Sequence, residues 1–232
     1  MDSSVSPSMS RRGRPADRPP QVYIYVVKYD LGFAPNPFGG VCTLACCKPD
    51  IRRVARIGDW VFGMGGGALK ATGRCVFAMR VTRHMTFDEY WEDPTFGSKR
   101  AQRNGTRKTL VGDNIYHHDN LGSWVQEDSV HSAIDGSQAA DNTDHDTRTN
   151  RLLLSDHFIY FGNAAPVVPP WILDGMGYKN QRYHRTFDLA ASGDLIAWIE
   201  GQAGGVMSRI LGDPFQFREG GKRYSKALDK LI

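Results

Sequence analysis

Short runs of β-branched and aromatic residues, separated by glycine and proline, restrict most strongly what this chain can fold into. The clearest runs are Val22–Val27, Trp60–Phe62, Arg74–Thr82 and His157–Phe161. Runs of this length and composition predict strands. None approaches the roughly 18 uninterrupted apolar residues that a membrane-spanning helix requires. Many short strands with few helices predict an α+β fold built around a curved or closed sheet.

A few segments carry helix or turn signals instead. Thr86 and Glu89 have the T-x-x-E spacing of a capping box, which predicts a short helix from Thr86. We expect a second helix over residues 192–201 and a third around residues 206–211. The glycine-rich stretch 63–67 lacks the Lys-Ser/Thr of a phosphate-binding loop, so we interpret it as a hairpin turn.

The length of the chain favours one domain with a long insertion. At 232 residues with 41% hydrophobic residues, the chain can bury a sizeable core. Residues 1–20 are rich in Ser, Pro and Arg, which predicts a disordered basic arm before a single domain over residues 21–232. Residues 97–150 lack periodic apolar positions, so we expect an insertion there and not a second core.

The four cysteines do not match a disulfide or zinc framework. Three of them, Cys42, Cys46 and Cys47, lie together in a hydrophobic stretch, where we interpret them as small core residues. No apolar leader is visible at the N-terminus, so we expect a reducing, cytoplasmic setting and no membrane contact. No metal-ligand spacing is recognisable either, and we predict neither a metal nor a cofactor.

The net charge of +4 is unevenly distributed along the chain. Eight basic residues lie between Lys48 and Arg83, whereas nine acidic residues lie between Asp113 and Asp156. A basic half suggests a nucleic acid, DNA rather than RNA, or a nucleotide as partner, although solvated faces remain an alternative. The candidate contacts to a phosphate backbone are Arg52, Arg53, Lys99, Arg100, Arg103, Arg107 and Lys108.

Several motifs resemble those of the PUA-like superfamily, particularly its EVE and ASCH branches, and of the nucleotide modification associated domains. They are Asn36–Gly40, Arg56–Phe62, Gly73–Thr82, Gly112–Tyr116 and Ser155–Gly162. The resemblance implies a PUA-like domain with flanking helices, in which a small β-barrel reads nucleic acid. It also implies that the ligand is often a modified base swung out of its duplex. The insertion at 97–150 departs from a minimal EVE domain.

Binding of such a base needs a planar surface for stacking and amide groups for its Watson–Crick edge. The chain offers aromatic rings for stacking, side-chain amides for the base edge and glycines that allow a close approach of the backbone. We therefore predict a pocket formed by Asn36, Phe38, Gly39, Gly40, Trp60, Asn114 and Tyr116. Two alternatives are structural. Phe38 can be the hydrophobic plug of a rigid turn, and Trp60 can be a core residue at a strand start.

An enzyme of nucleotide or modified-base metabolism, for example in base excision or transfer, is the alternative function. Its acid–base groups would be Asp113, His117, His118 and His131, because histidine exchanges protons near neutral pH and a carboxylate fixes its tautomer. No nucleophile motif such as G-x-S-x-G accompanies them. We therefore favour a binding module that recognises a modified, flipped-out base or a nucleotide.

Overall fold

The computed structural model describes residues 18–181 and 183–232. Most of the predicted N-terminal arm, residues 1–17, lies outside this part. The strands are β1 (Gln21–Val27), β2 (Cys42–Leu44), β3 (Trp60–Gly65), β4 (Cys75–Arg80), β5 (Arg83–Met85), β6 (Tyr116–His118), β7 (Trp124–Gln126), β8 (Leu152–Ser155), β9 (His157–Tyr160), β10 (His184–Asp188), β11 (Arg209–Ile210), β12 (Tyr224–Ser225) and β13 (Lys230–Leu231). The helices are α1 (Pro49–Val54), α2 (Phe87–Glu92), α3 (Arg107–Leu110), α4 (Ala140–Asp146), α5 (Pro170–Gly175) and α6 (Gly193–Gln202).

A six-stranded mixed sheet in the order β10-β1-β3-β4-β9-β11 forms the centre of the molecule. β1 pairs with β3 in parallel, and β4 lies antiparallel to both β3 and β9. The side chains of β3 and nearly all those of β1 and β4 are buried. Continuous apolar runs are typical of strands that are covered on both faces, as the sequence predicted.

In the glycine-rich stretch 63–67 predicted as a hairpin turn, residues 63–65 are in fact the end of β3, and the connection to β4 begins only after them. Gly63 and Gly65 both lie within the strand and are buried. A Cβ atom built on Gly63 would lie 2.2 Å from the ring of Phe77 on β4. Glycine is therefore needed here because a neighbouring aromatic ring packs directly on the backbone. This requirement produces the same local composition as a flexible turn.

The α+β class is confirmed, with three smaller sheets beside the central one. Their strand orders are β2-β8-β5, β6-β7 and β12-β13, and no sheet within the described residues is closed into a barrel. The capping box of Thr86 and Glu89 is confirmed at the start of α2. The prediction of a helix around residues 206–211 is wrong, because Arg209 and Ile210 extend the central sheet as β11.

The insertion at 97–150 contributes four buried residues to a second hydrophobic core, although the sequence predicts no second core there. Val111, Ile115, Tyr116 and Val130 are at most 1% exposed and pack with apolar residues from outside the insertion. They come largely from irregular segments and short strands, so they show no periodic spacing in the sequence. Composition alone therefore did not reveal this core. Among the described residues, no helix is long and apolar enough to cross a membrane.

Phe38 belongs to this second core, which generates a prediction about stability. Its ring stacks on that of Phe217 with 5.4 Å between the centroids, and only 9% of the residue is exposed. Phe38→Ala should lower the free energy of unfolding by about 3–5 kcal/mol, as truncation of a buried phenylalanine generally does. Urea denaturation measures this change.

The control is Leu121→Ala, since Leu121 is 91% exposed. A surface substitution of this kind should change the free energy of unfolding by at most about 0.5 kcal/mol. If the two variants unfold at the same urea concentration, Phe38 is not a core residue.

Candidate functional site

Cys47 occupies a strained turn between β2 and α1. Its backbone φ is 59°, and that of the following Lys48 is 43°, so two consecutive non-glycine residues are left-handed. Such conformations cost about 1–3 kcal/mol each and cluster at functional sites. Pro49 then begins α1, where its fixed φ suits the first helical turn. Cys47 is partly exposed, whereas Cys42, Cys46 and Cys75 are buried.

Cys47 faces a histidine that is itself held by a carboxylate. The Sγ atom of Cys47 lies 3.7 Å from Nε2 of His131. Nδ1 of His131 donates a hydrogen bond of 2.8 Å to Oδ2 of Asp146. A nucleophile, a base and a group that orients the base, in this order, are the arrangement of cysteine- and serine-dependent acyl transfer. We call Cys47, His131 and Asp146 the triad.

The carboxylate of Asp146 is held by four donors. Oδ1 accepts from the backbone N–H of Cys47 at 2.8 Å and from Nδ1 of His145 at 3.2 Å. Oδ2 accepts from His131 and, at 3.1 Å, from the hydroxyl of Tyr116. The guanidinium of Arg52 donates to the backbone carbonyls of both Cys47 and Asp146. The positions of the triad are thus set by a network, and not by one contact.

Electrostatics favour a charged pair within the triad. Burial lowers the pKa of His131, but the Asp146 carboxylate and the Cys47 sulfur outweigh it, so the pKa is raised above its usual value. Burial likewise raises the pKa of Asp146, yet the imidazole of His131 and its other donors hold that pKa below its usual range. The triad thus places a buried, charged imidazole–carboxylate pair next to a partly exposed thiol.

Aromatic rings enclose the imidazole of His131. The ring centroid of Phe33 lies 4.7 Å from that of His131, and that of Tyr224 lies 5.6 Å away. Tyr224 belongs to the C-terminal hairpin of β12 and β13, and its own backbone N–H donates to the carbonyl of Val130. These rings lower the polarity around the imidazole, which strengthens the electrostatic interactions within the triad.

Cys46, His131 and Asp146 also form a group of metal-ligand types within the described residues, with ligand atoms within 4.8 Å of one another. Both oxygens of Asp146 are, however, already occupied by protein donors. The thiol of Cys46 points to the carbonyl of Asp113 at 3.6 Å. A metal ion would have to displace several of these bonds, so the geometry fits the triad better than a metal centre.

The residues predicted to form a base pocket occupy different places. Asn36, Phe38, Trp60, Asn114 and Tyr116 are all buried. Trp60 packs on Phe62 and His157 in the central core, and the side-chain amide of Asn114 donates to the carbonyl of Tyr90. Only Gly39 and Gly40 are exposed. The structure does not assemble these residues into an open cavity, although it does bring Tyr116 to the triad.

Lys99 and Asp113 belong to a second buried network. Nζ of Lys99 donates to Oδ1 of Asn36 at 3.0 Å and to the hydroxyl of Thr43 at 2.9 Å. That hydroxyl donates to Oδ2 of Asp113 at 2.6 Å, and the hydroxyl of Tyr90 donates to Oδ1 at 2.8 Å. Burial lowers the pKa of Lys99 and raises that of Asp113. These two residues join the 35–40 loop to the insertion, and neither reaches the surface.

The other two predicted histidines do not join His131. Nε2 of His117 lies 3.0 Å from a carboxylate oxygen of Glu127, and its ring stacks on Trp91. Nδ1 of His118 lies 2.7 Å from a carboxylate oxygen of Asp88. Each is therefore half of a separate pair with an acidic residue. Of the four predicted acid–base groups, only His131 belongs to the triad.

The predicted backbone contacts divide between surface and interior. Arg53, Arg107 and Lys108 are exposed. Arg52 is fully buried, while Arg100 lies over the ring of Trp91 at 3.9 Å and Arg103 donates to the carbonyl of Leu110. These three guanidiniums thus donate to backbone carbonyls of the protein itself.

Sequence reasoning missed two members of the triad, Cys47 and Asp146. They lie 99 positions apart, and the cysteine follows a hydrophobic run that suggested a core residue. The available signal was local: Pro49 two residues after Cys47 indicates that the strand ends and a helix begins there. Asp146 is one of nine acidic residues between Asp113 and Asp156, and no local sequence pattern distinguishes it from the others.

Comparison with known families gives a match over most of the chain. The family model described as nucleotide modification associated domain 2 matches residues 19–221, which include the whole triad. No curated protein and no solved structure matches the chain.

The charged pair predicts a specific dependence of stability on pH. Because the pKa of His131 is raised on folding, its contribution is complete below about pH 6.5, the unfolded value, and is lost as pH rises through the folded value. The destabilisation caused by His131→Gln should therefore shrink between pH 6.5 and 10, by at most about 1.4 kcal/mol per pH unit. Urea denaturation of both proteins across this range measures it.

His117→Gln is the matched control, since His117 lies on the same insertion and is only partly buried. A destabilisation by His131→Gln that stays constant with pH would show that His131 is neutral in the folded protein.

Proposed function

The chain belongs to the nucleotide modification associated domain 2 family, and from this membership we propose that it is a thiol-dependent enzyme acting on a nucleotide or on a base in DNA. The observation that carries the proposal is the alignment of Cys47, His131 and Asp146. A partly exposed thiol on a strained turn faces an imidazole that a buried carboxylate orients. The family supplies the context of nucleotide modification, and the triad supplies the chemistry.

The roles follow from the positions of the atoms. Cys47 attacks an electrophilic carbonyl carbon of the substrate, and a C–S bond forms as the bond to the leaving group breaks. Nε2 of His131 donates its proton to that leaving group and then accepts a proton from the water or acceptor that releases the acyl group. Asp146 keeps Nδ1 protonated, so Nε2 stays directed at Sγ. The reaction class is acyl transfer or hydrolysis.

Nucleic-acid binding accompanies this proposal as the second candidate function. Arg53, Arg107 and Lys108 project from the surface, where cations neutralise phosphates and supply affinity that is independent of sequence. A PUA-like arrangement, in which a modified base leaves its duplex, would then present that base to the proposed catalytic thiol of the same protein. The four free cysteines fit a reducing cytoplasm as the place of action.

Alkylation tests whether Cys47 is an activated nucleophile. Iodoacetamide at pH 6 should modify Cys47 before the three buried cysteines, because it is partly exposed and faces an imidazolium. His131→Gln should slow this modification by about tenfold or more, whereas His117→Gln should leave it unchanged. Mass spectrometry of peptides after timed quenching gives the rate at each thiol. Equal rates in the two variants would contradict activation by His131.

Turnover tests the substrate class. Nucleotides and single-stranded or duplex oligodeoxynucleotides that carry acyl or amide groups on the base are incubated with the protein, and products are followed by mass spectrometry. Cys47→Ala should lower the rate by about 10³-fold or more, since removal of a catalytic nucleophile abolishes the covalent route. His117→Gln should retain the wild-type rate. Full turnover by Cys47→Ala would show that the reaction does not pass through this thiol.

A further inference from the structure

A groove of about 480 Å³ lies on the molecule apart from the triad. Its walls include four arginines from three separate segments, Arg18, Arg53, Arg56 and Arg151, together with His184 of β10. This volume lies within the range of small-molecule sites, which is about 300–1,000 Å³. None of the described residues that line it is acidic. Positive charge is therefore concentrated in a concave surface.

The carboxylate that binds Arg18 at the edge of the groove is already fully engaged. Asp59 is 1% exposed, and its two oxygens accept hydrogen bonds of 2.9 and 2.6 Å from the guanidinium of Arg18. It also accepts from the backbone N–H groups of Gln21 and Arg56. Asp59 thus holds Arg18 in place and neutralises one charge. The remaining guanidiniums of the groove receive no counter-ion from it.

Two of these guanidiniums are available to a ligand. The side chains of Arg53 and Arg56 are exposed and make no hydrogen bond or ion pair with the described part of the chain. Arg151 is held in place instead, because it donates to the backbone carbonyls of Arg53 and Ala55. A fixed cation beside two free ones is a preorganised arrangement for an anion.

Repulsion among the cations agrees with this arrangement. Burial and then the charge of Arg56 lower the pKa of Arg151. Burial and then the charge of Arg151 lower the pKa of His84, which lies next to the groove, to about 4. An anion placed between Arg56 and Arg151 would relieve the repulsion between these two guanidiniums and would be attracted by both.

We infer that this arginine groove is a binding site for a phosphate ester. Planar guanidiniums bind phosphate oxygens in a bidentate manner, which suits several arginines converging on one cavity. The phosphate would belong to a free nucleotide or to a nucleic-acid backbone. The inference rests on the second candidate function, nucleic-acid or nucleotide binding, and gives it a specific site; it is separate from the proposed catalysis, since no residue of the triad lines the groove. Binding here does not require Cys47 to be catalytic.

The test compares probes that differ in their phosphates. Thymidine, thymidine monophosphate and a 12-nucleotide single-stranded DNA are titrated against the wild-type protein by calorimetry. We expect thymidine not to bind. Binding of the monophosphate identifies the site as one for a free nucleotide, whereas binding of the oligonucleotide alone identifies it as one for a nucleic-acid backbone. If neither phosphate-containing probe binds, the inference is wrong.

A double variant locates the site. Arg53→Gln with Arg56→Gln should weaken binding by about tenfold or more, because it removes two charge-assisted contacts. Arg218→Gln with Lys226→Gln is the matched control: it removes the same charge from exposed residues outside the groove. For DNA, the first variant should also flatten the salt dependence, by about 0.7 in log–log slope for each lost phosphate contact. Equal affinities in the two double variants would overturn the assignment to the groove.

Discussion

The buried carboxylate of Asp146 is the group on which the rest of the site depends. A carboxylate in the protein interior is costly unless donors replace its water shell, and partners of opposite charge offset much of the remainder. Asp146 meets this requirement by drawing donors from the turn at Cys47, from Tyr116 on β6 and from the loop at His131. Three segments that are distant in sequence must therefore converge on the end of α4 for the molecule to fold.

The same carboxylate also determines the reactivity of the site. One oxygen accepts from the backbone N–H of Cys47 and helps to keep this residue in its left-handed conformation. The other accepts from Nδ1 of His131, so that Nε2 points at Sγ. A single buried charge thus stabilises the fold, orients the base and presents the nucleophile. Stability and chemistry cannot be separated at this position.

What the sequence could predict was local. The strand at Val22–Val27 and the capping box at Thr86 depend on neighbouring residues, and both are confirmed. The site depends on contacts between distant segments, which composition does not encode. Lys99 shows the difference most clearly: a lysine in a basic run suggests a solvated surface, yet Thr43 and Asn36 supply the acceptors that permit its burial. Membership of the family, by contrast, was visible in the motifs themselves.

Arg52 joins the triad to the arginine groove through the backbone. Its side chain is buried under α1 and donates to the carbonyl of Cys47 at 2.8 Å and to that of Arg151 at 2.7 Å. It also donates to the carbonyl of Asp146. The same guanidinium therefore holds both the turn at Cys47 and the backbone of Arg151, which directly precedes β8. Burial makes each unpaired donor costly, so a shift of either segment would break hydrogen bonds of the guanidinium that also holds the other segment. Arg52 is fully buried, and it therefore positions both sites without contacting a ligand at either.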